Sequence, residues 1–341
     1  MRVIGLPGGQ PVVFALCFAL TACEGALSRD LTGPESDAGT LDAQSVSLLG
    51  ASNTWTATHS LLQRRAYMVA GTIDNIIYVV GGYSPTGTVP PFFWTTTVQA
   101  YNVATNRWSL KKSLPAARAQ LHGASVINRR LYVTGGGNNA GVPTKTLFVY
   151  TPATNTWSRK ADLPQAGWNG AQGVIAGLLY VYVGRTQNQE DGFFRYNPTT
   201  NTWIKLASPP TEHSNPAVGV IGGKFYLAGG QTSVAISKAL DVYSPATNTW
   251  ATRAPMPEPR SHMASTVING RLFVASGVVD GVGKVATALV YNASTNTWAA
   301  TAPMPTARSA AAGTAANGLF FVIGGLDQSD QILTTVRAYT P

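Results

Sequence analysis

The 341 residues carry 45% hydrophobic side chains and only 11% charged ones, with a formal net charge of +9. That hydrophobic content excludes a disordered chain, and the charged fraction is well below the usual quarter of a globular domain. The only two cysteines, Cys17 and Cys23, lie at the N-terminus, so the body of the chain has no disulfide, cysteine metal site or cysteine nucleophile to draw on.

Residues 1–23 read as an export signal. Arg2 supplies a short positive region, and Val12 to Leu20 is an apolar run too short to anchor stably across a bilayer. Leu20-Thr21-Ala22-Cys23 resembles the bacterial lipobox, which implies cleavage before Cys23 and lipidation of that cysteine. The other reading is an ordinary cleaved signal with Cys23 incidental. Residues 24–50 hold five carboxylates (Glu24, Asp30, Glu35, Asp37, Asp42), several Gly and Ser and no periodicity, as a flexible tether does. In the lipoproteins this region resembles, an aspartate after the cysteine favours inner-membrane retention, and here the residue is Glu24. The expected location is therefore the bacterial cell envelope, lipid-anchored, and the outer membrane if the source is Gram-negative.

Residues 51–341 repeat. Thr151-Pro152-Ala153-Thr154-Asn155-Thr156-Trp157 returns nearly unchanged as Ser244-Pro245-Ala246-Thr247-Asn248-Thr249-Trp250, with looser copies ending at Trp108, Trp203 and Trp298. Tyr101, Tyr150, Tyr196, Tyr243 and Tyr291 each stand seven residues before their tryptophan. Trp55 lacks the tyrosine, and Tyr339, near the last residue, lacks the tryptophan. Counting Trp55, the tryptophans lie 53, 49, 46, 47 and 48 residues apart, a period of stacked or radially repeated units. Because one unit is split between the two ends, a closed ring is expected rather than a capped linear array.

Each unit begins with an apolar strand of small residues, such as Ala124-Ser125-Val126-Ile127. A tight turn follows, supplied by Asp74-Asn75, Gly222-Gly223, Asn269-Gly270 and Asn317-Gly318, residues that tolerate the positive φ of two-residue hairpins. Next comes a β-branched and aromatic strand such as Ile76-Ile77-Tyr78-Val79-Val80, ending in a glycine pair at 81–82, 135–136, 229–230 and 324–325; Val183-Gly184 and Ser276-Gly277 deviate. A variable loop leads to the tyrosine strand, the Thr-Asn turn and the tryptophan strand. Four strands per unit and no helical period point to an all-β propeller.

The glycine pair, the tyrosine and the tryptophan seven residues later resemble the Kelch-repeat family, over residues 51–341. The resemblance implies a six-bladed Kelch β-propeller, closed by an N-terminal strand around Trp55 that pairs with the C-terminal blade and so removes two strand edges. The recurring tyrosines and tryptophans read as wedge-filling anchors between blades.

Function is sought on the face that carries the approach to each first strand and the loop after each second strand, where variation concentrates. Ten residues after each tryptophan stand Arg65, Arg118, Gly167, His213, Arg260 and Arg308. Four arginines around one channel mouth form a basic ring. In Kelch adaptor proteins, which this chain resembles, arginines at this place grip acidic peptides; the competing reading is that each arginine bonds nearby carbonyls and holds blades together. Trp168, His213 and Asn215 make the ring asymmetric. The loop from Gly82 to Tyr101 spans 19 residues, against 12 to 14 in the other repeats, and carries Tyr83, Phe92, Phe93 and Trp94. Those aromatics either stack on a ligand or fold onto their own blade. The candidate ligand-binding residues are Arg65, Arg118, His213, Arg260, Arg308, Trp94, Trp168 and Arg185, and the lipidated residue is Cys23.

Residues 51–341 hold 22 Lys and Arg against 10 Asp and Glu, an excess of 12 positive charges. For an exported protein this suggests an acidic glycan or protein as partner, or else a merely solvated basic surface. No motif for nucleic acid is present, the membrane is met through the lipid anchor only, and a monomer is expected. Among enzymes on this scaffold, the copper radical oxidases resembling galactose oxidase need a tyrosine joined to a cysteine, which residues 51–341 lack. His59, His122, His213 and His262 fall in different repeats without ligand spacing, so no metal or other cofactor is expected. A sialate mutarotase-like enzyme is the alternative to a non-catalytic binding module. It would take Glu190 or Glu212 as acid and base, with Arg185, Arg260 or Arg308 holding a substrate carboxylate.

Overall fold

The computed structural model describes residues 51–85, 94–184 and 191–341. Apart from one 3-10 turn at Pro152–Thr154, these residues hold no helix. They form six four-stranded antiparallel sheets, one per repeat, and a small three-stranded sheet. Blade 1 runs Val69–Ile73, Ile76–Val80, Val98–Asn102, Arg107–Lys111, hydrogen-bonded in that order, and blades 2 to 5 repeat the pattern. Blade 6 combines Ala312–Ala316, Leu319–Ile323 and Val336–Thr340 with Thr54–Thr58 from the other end of the repeat array. There Trp55 pairs with Tyr339, which is the expected closure.

All six hairpins between first and second strands turn through two residues of positive φ, including Asn128-Arg129 and Ala176-Gly177. This geometry matches the right-handed twist of the flanking strands. The first strands, Val69–Ile73, Gly123–Ile127, Ala171–Ile175, Ala217–Ile221, Ala264–Ile268 and Ala312–Ala316, each contact the first strands of two neighbouring blades and close a cycle. The second and third strands are buried on both faces, and the core divides into six clusters, each shared by two adjacent blades. One repeat tyrosine sits in each cluster.

One asparagine explains the repeat signature. Asn53, Asn106, Asn155, Asn201, Asn248 and Asn296 occupy the left-handed region at φ of 51–59°, which asparagine tolerates better than most residues. Each Oδ1 accepts the tyrosine hydroxyl of its own blade at 2.5–2.8 Å. The same oxygen accepts a backbone N–H of the preceding blade, from His59, Lys112, Ala161, Ala207, Ala254 or Ala302, at 2.8–3.3 Å. The carbonyl of that same residue accepts the blade's tryptophan indole N–H at 2.7–2.9 Å. Tyrosine, asparagine and tryptophan thus grip one peptide unit of the neighbouring blade, six times around the ring.

Candidate functional site

The glycine pair is where one blade touches the next on the opposite rim. The second glycine donates its N–H to the carbonyl at the arginine register of the following blade, at 2.8 Å from Gly82 to Arg118, Gly230 to Arg260, Gly277 to Arg308 and Gly325 to Arg65. A Cβ on Gly81 would lie 2.5 Å from the Arg118 carbonyl oxygen, so a side chain there would force the blades apart. The approach segment and the loop after the second strand pair on this same face, as the bridges Ala66–Tyr83, Ala119–Gly137, Ser214–Gln231 and Ser309–Leu326 record.

The arginines of the register do not open onto this face. Arg65, Arg260 and Arg308 are at most 1% exposed, and Arg118 is 8% exposed. Arg308 Nη1 donates to Gly324 O (3.0 Å) and Thr335 O (3.4 Å), and Nη2 to Thr306 Oγ1. Arg260 repeats the pattern on Ser276 O and Thr287 O, with Glu258 and Thr287 Oγ1 on Nη2. Arg65 donates to Arg64 O and Gln63 Oε1, and Arg118 to Ala117 O. Burial pulls Arg65 and Arg308 down to about 10, which still leaves them charged at neutral pH. These guanidiniums tie each approach segment to local carbonyls and side chains, and in blades 5 and 6 to the ends of strands two and three. The basic ring facing a ligand is therefore corrected to a set of internal cross-links.

His213 takes the same place in blade 4. Its Nδ1 donates to Gly229 O at 2.6 Å, the counterpart of Gly324 O, and its Nε2 lies 3.1 Å from Asp241 Oδ2, with both side chains fully buried. Burial pushes the Asp241 carboxyl up, but hydrogen bonds from His213, Thr252 and Thr211 outweigh it and hold the carboxyl below its ordinary range. Its two ring nitrogens thus bridge the Gly229 carbonyl and the Asp241 carboxyl group. His213 is accordingly a buried strut, out of a ligand's reach.

Two residues beyond the register the chain does face the channel. Tyr67, Gln120, Asn169, Asn215, His262 and Ala310 all adopt φ of 52–56°. Their backbones form a closed cycle of hydrogen bonds, each N–H donating to the carbonyl of the preceding residue in the ring at 2.7–3.0 Å, with Tyr67 N–H returning to Ala310 O. Four of the six are neither Gly nor Asn, and such residues hold the left-handed conformation only when the surroundings impose it. The six side chains line the mouth of a channel of about 380 Å³, walled below by the six first strands. Among the described residues, none that lines it is Lys, Arg, Asp or Glu.

The mouth is uneven. Tyr67 reaches over the small Ala310 to meet His262 edge-on, ring centres 5.9 Å apart. Behind it Tyr83 lies 4.9 Å from Tyr67, and Trp94 lies 5.8 Å from Tyr83. The opposite arc presents the amides of Gln120, Asn169 and Asn215. Trp168, half-buried, stands beside them. Trp94 is only 8% exposed and packs on Gly137 of blade 2, where a Cβ would fall 2.0 Å from its Cη2. It is thus folded down between Tyr83 of its own blade and Gly137 of the next, rather than projecting to a ligand. Phe92, Phe93, Arg185, Glu190 and Cys23 lie outside the described residues. Glu212 accepts the Ser233 N–H at 2.6 Å. Among the described residues no cluster of His, Cys, Asp and Glu could hold a metal ion.

The two histidines of the channel are uncharged at neutral pH. His122 is deeply buried, with Nδ1 accepting the Gly170 N–H at 3.1 Å, and burial pushes it down to about 3. His262 is pushed down to about 4 by the same cause.

A family model described as the KLHDC2/KLHL20/DRC7 Kelch-repeats domain matches residues 121–325, and the Kelch motif matches residues 64–115. The solved structure of YjhT superposes with a TM-score of 0.70 at 17% identity, covering 82% of this chain and 95% of that one, a likeness of fold alone. The matched residues span the glycine pairs and, apart from Trp55 and Tyr339, the tyrosines and tryptophans whose inter-blade contacts are described above, and the chain belongs to the Kelch-repeat family.

Proposed function

We propose that this protein is an exported, lipid-anchored, non-catalytic binding propeller that takes its ligand at the channel mouth. A Kelch propeller supports a binding or scaffold module, and Kelch propellers generally mediate protein binding. The observation that carries the reading is the ring of six left-handed residues. Five of them, at 67, 120, 169, 215 and 262, hold polar or aromatic side chains at one mouth on a rigid backbone cycle. Strained conformations fixed around a cavity are what a preorganised site requires. An acidic glycan or protein partner, suggested by charge, would be met by exposed Arg64 on the approach segment rather than by the enclosed arginine register. The mutarotase-like alternative needs a carboxylate and an arginine converging on the mouth; Arg260 and Arg308 are committed to carbonyls and Glu212 to a backbone N–H, so it would fall to Glu190 and Arg185, which lie outside the described residues.

The test is a screen of the full chain against glycans and envelope proteins, repeated with Gln120→Ala and Asn215→Ala. A captured ligand should be weakened by both substitutions with little change in melting temperature. Ligands indifferent to both would move the site away from the mouth.

A further inference from the structure

Resting on that reading of the mouth, we propose that the ligand it takes is an uncharged saccharide of one or two pyranose rings. Three primary amides stand on consecutive blades, Gln120, Asn169 and Asn215, and none makes a side-chain hydrogen bond among the described residues. Asn169 Oδ1 is shielded from solvent and has no partner there. An amide both donates and accepts, as a sugar hydroxyl does, so the two match without either being left unpaired. Across the mouth the Tyr67 ring, braced by Tyr83 and His262, offers a flat face fixed in place. The lining offers polar and apolar surface in about equal measure, and about 380 Å³ is within the range of small-molecule sites.

Charge decides against a carboxylated ligand here. Among the described residues the channel lining holds no cation, and its two histidines stay neutral. A carboxylate entering it would give up water with no opposite charge in return, which is strongly unfavourable. A protein segment is disfavoured by size, because the backbone cycle encircles the mouth and limits the space to that of a small molecule.

The experiment is calorimetry on the full chain with galactose, glucose, mannose, lactose and maltose, set against galacturonate, glucuronate and N-acetylneuraminate, at low and high salt. At least one neutral sugar should bind with an affinity that salt leaves unchanged, and the matching uronate should bind roughly tenfold more weakly or not at all. Gln120→Ala should weaken the neutral sugar by about tenfold, the loss of one or two neutral hydrogen bonds. Asn169→Asp with Asn215→Asp keeps residues that tolerate positive φ; melting temperature checks the fold. That pair should retain neutral binding within roughly tenfold. If the uronates or sialate bind more tightly than the neutral sugars and the paired aspartates abolish them, the mouth is a binding site but the neutral assignment is overturned. If a sugar binds and ignores Gln120→Ala and Asn215→Ala, the mouth itself is the wrong place. No binding by any neutral sugar up to roughly 10 mM also overturns the proposal, leaving the mouth to be judged by the wider screen.

Discussion

Tyr339 Oη donates to Asn53 Oδ1 at 2.8 Å, across 286 positions of sequence. The same asparagine oxygen accepts the Ala302 N–H at 2.8 Å, and Trp55 two residues later returns its indole N–H to the Ala302 carbonyl at 2.8 Å. The split repeat therefore carries the same inter-blade grip as the five unbroken ones, made by two ends of the array. Asn53→Ala removes an acceptor serving two donors and places alanine at a φ of 59°. It should destabilise by roughly 2–4 kcal/mol, more than Tyr339→Phe at about 1 kcal/mol, because Asn53 keeps the Ala302 N–H in the latter. Deleting residues 51–58 removes the whole outer strand and its tryptophan, and should lower the melting temperature further and promote aggregation through the bared edge. Urea titration of the three variants gives the order; equal stabilities would place the seam elsewhere.

A second expectation concerns Arg308. Replacing it with alanine leaves Gly324 O unpaired inside blade 6, a loss of roughly 1–3 kcal/mol, while Thr335 O keeps the Gly324 N–H at 3.0 Å. Arg308→Lys should recover only part of this, since a single ammonium cannot reproduce the planar fork that reaches two carbonyls and Thr306. Unfolding measurements check it. Full stability in Arg308→Ala together with a lost ligand would restore the arginine to a binding role.

The repeat was legible in sequence because its contacts are local or identically spaced. Tyr101 and Trp108 are seven apart because a tight turn sets them opposite each other on paired strands, and the asparagine between them is fixed by the same turn. The arginine register was equally visible, but not the direction of its side chains. The acceptors of Arg260 and Arg308 lie 16 and 27 residues further on, and only the folded blade brings them in. The mouth residues gave the weakest signal. Tyr, Gln, Asn, Asn, His and Ala share a backbone shape rather than a chemistry, so no repeat pattern marked them. The recurrence of asparagine at 169 and 215, both two residues past the register, was the one hint.

Gly137 lies between two tryptophans. A methyl group there would stand 2.0 Å from Trp94 Cη2 and 2.9 Å from Trp168 Cε3. Gly137→Ala should displace Trp94 from its niche, raise its exposure and disturb the edge of the mouth beside Trp168. Near-ultraviolet circular dichroism and acrylamide quenching of tryptophan fluorescence report this directly. Spectra identical to the parent's would mean that the indole has room to give way without leaving its site.

Anchoring is tested at Cys23. Cys23→Ala should free the protein from membranes while its melting temperature stays that of the parent propeller, because an acyl chain contributes ~0.8 kcal/mol per buried methylene to anchoring. Continued sedimentation with membranes after normal signal processing would rule out the lipobox.

Stability should fall as pH drops from about 6.5 towards 4, and His122 should be a main cause. In the unfolded chain its imidazole titrates near 6.5. In the fold it is pushed down to about 3 by burial, with Nδ1 committed to the Gly170 N–H and Nε2 packed against Gly135 without a partner among the described residues. Between these values the unfolded chain holds a proton that the folded chain refuses, so acid favours unfolding. The stabilisation is complete above pH 6.5 and declines by about 1.4 kcal/mol per pH unit for each such histidine. His262, pushed down to about 4, acts in the same sense over a shorter window. The Asp241 carboxyl, held below its ordinary range, adds a further loss only below about pH 4, where the unfolded carboxylate takes up its proton. Urea midpoints measured from pH 7.5 to about pH 5.5 should therefore slope downwards over a range where ordinary carboxylates hardly titrate. His122→Gln, which keeps an acceptor for Gly170 but cannot be protonated, should reduce that slope by close to one proton while the Asp241 contribution at lower pH persists. An unchanged slope in the variant would show that His122 is protonated equally in both states, and hence that the floor of the channel is wetter than its packing indicates.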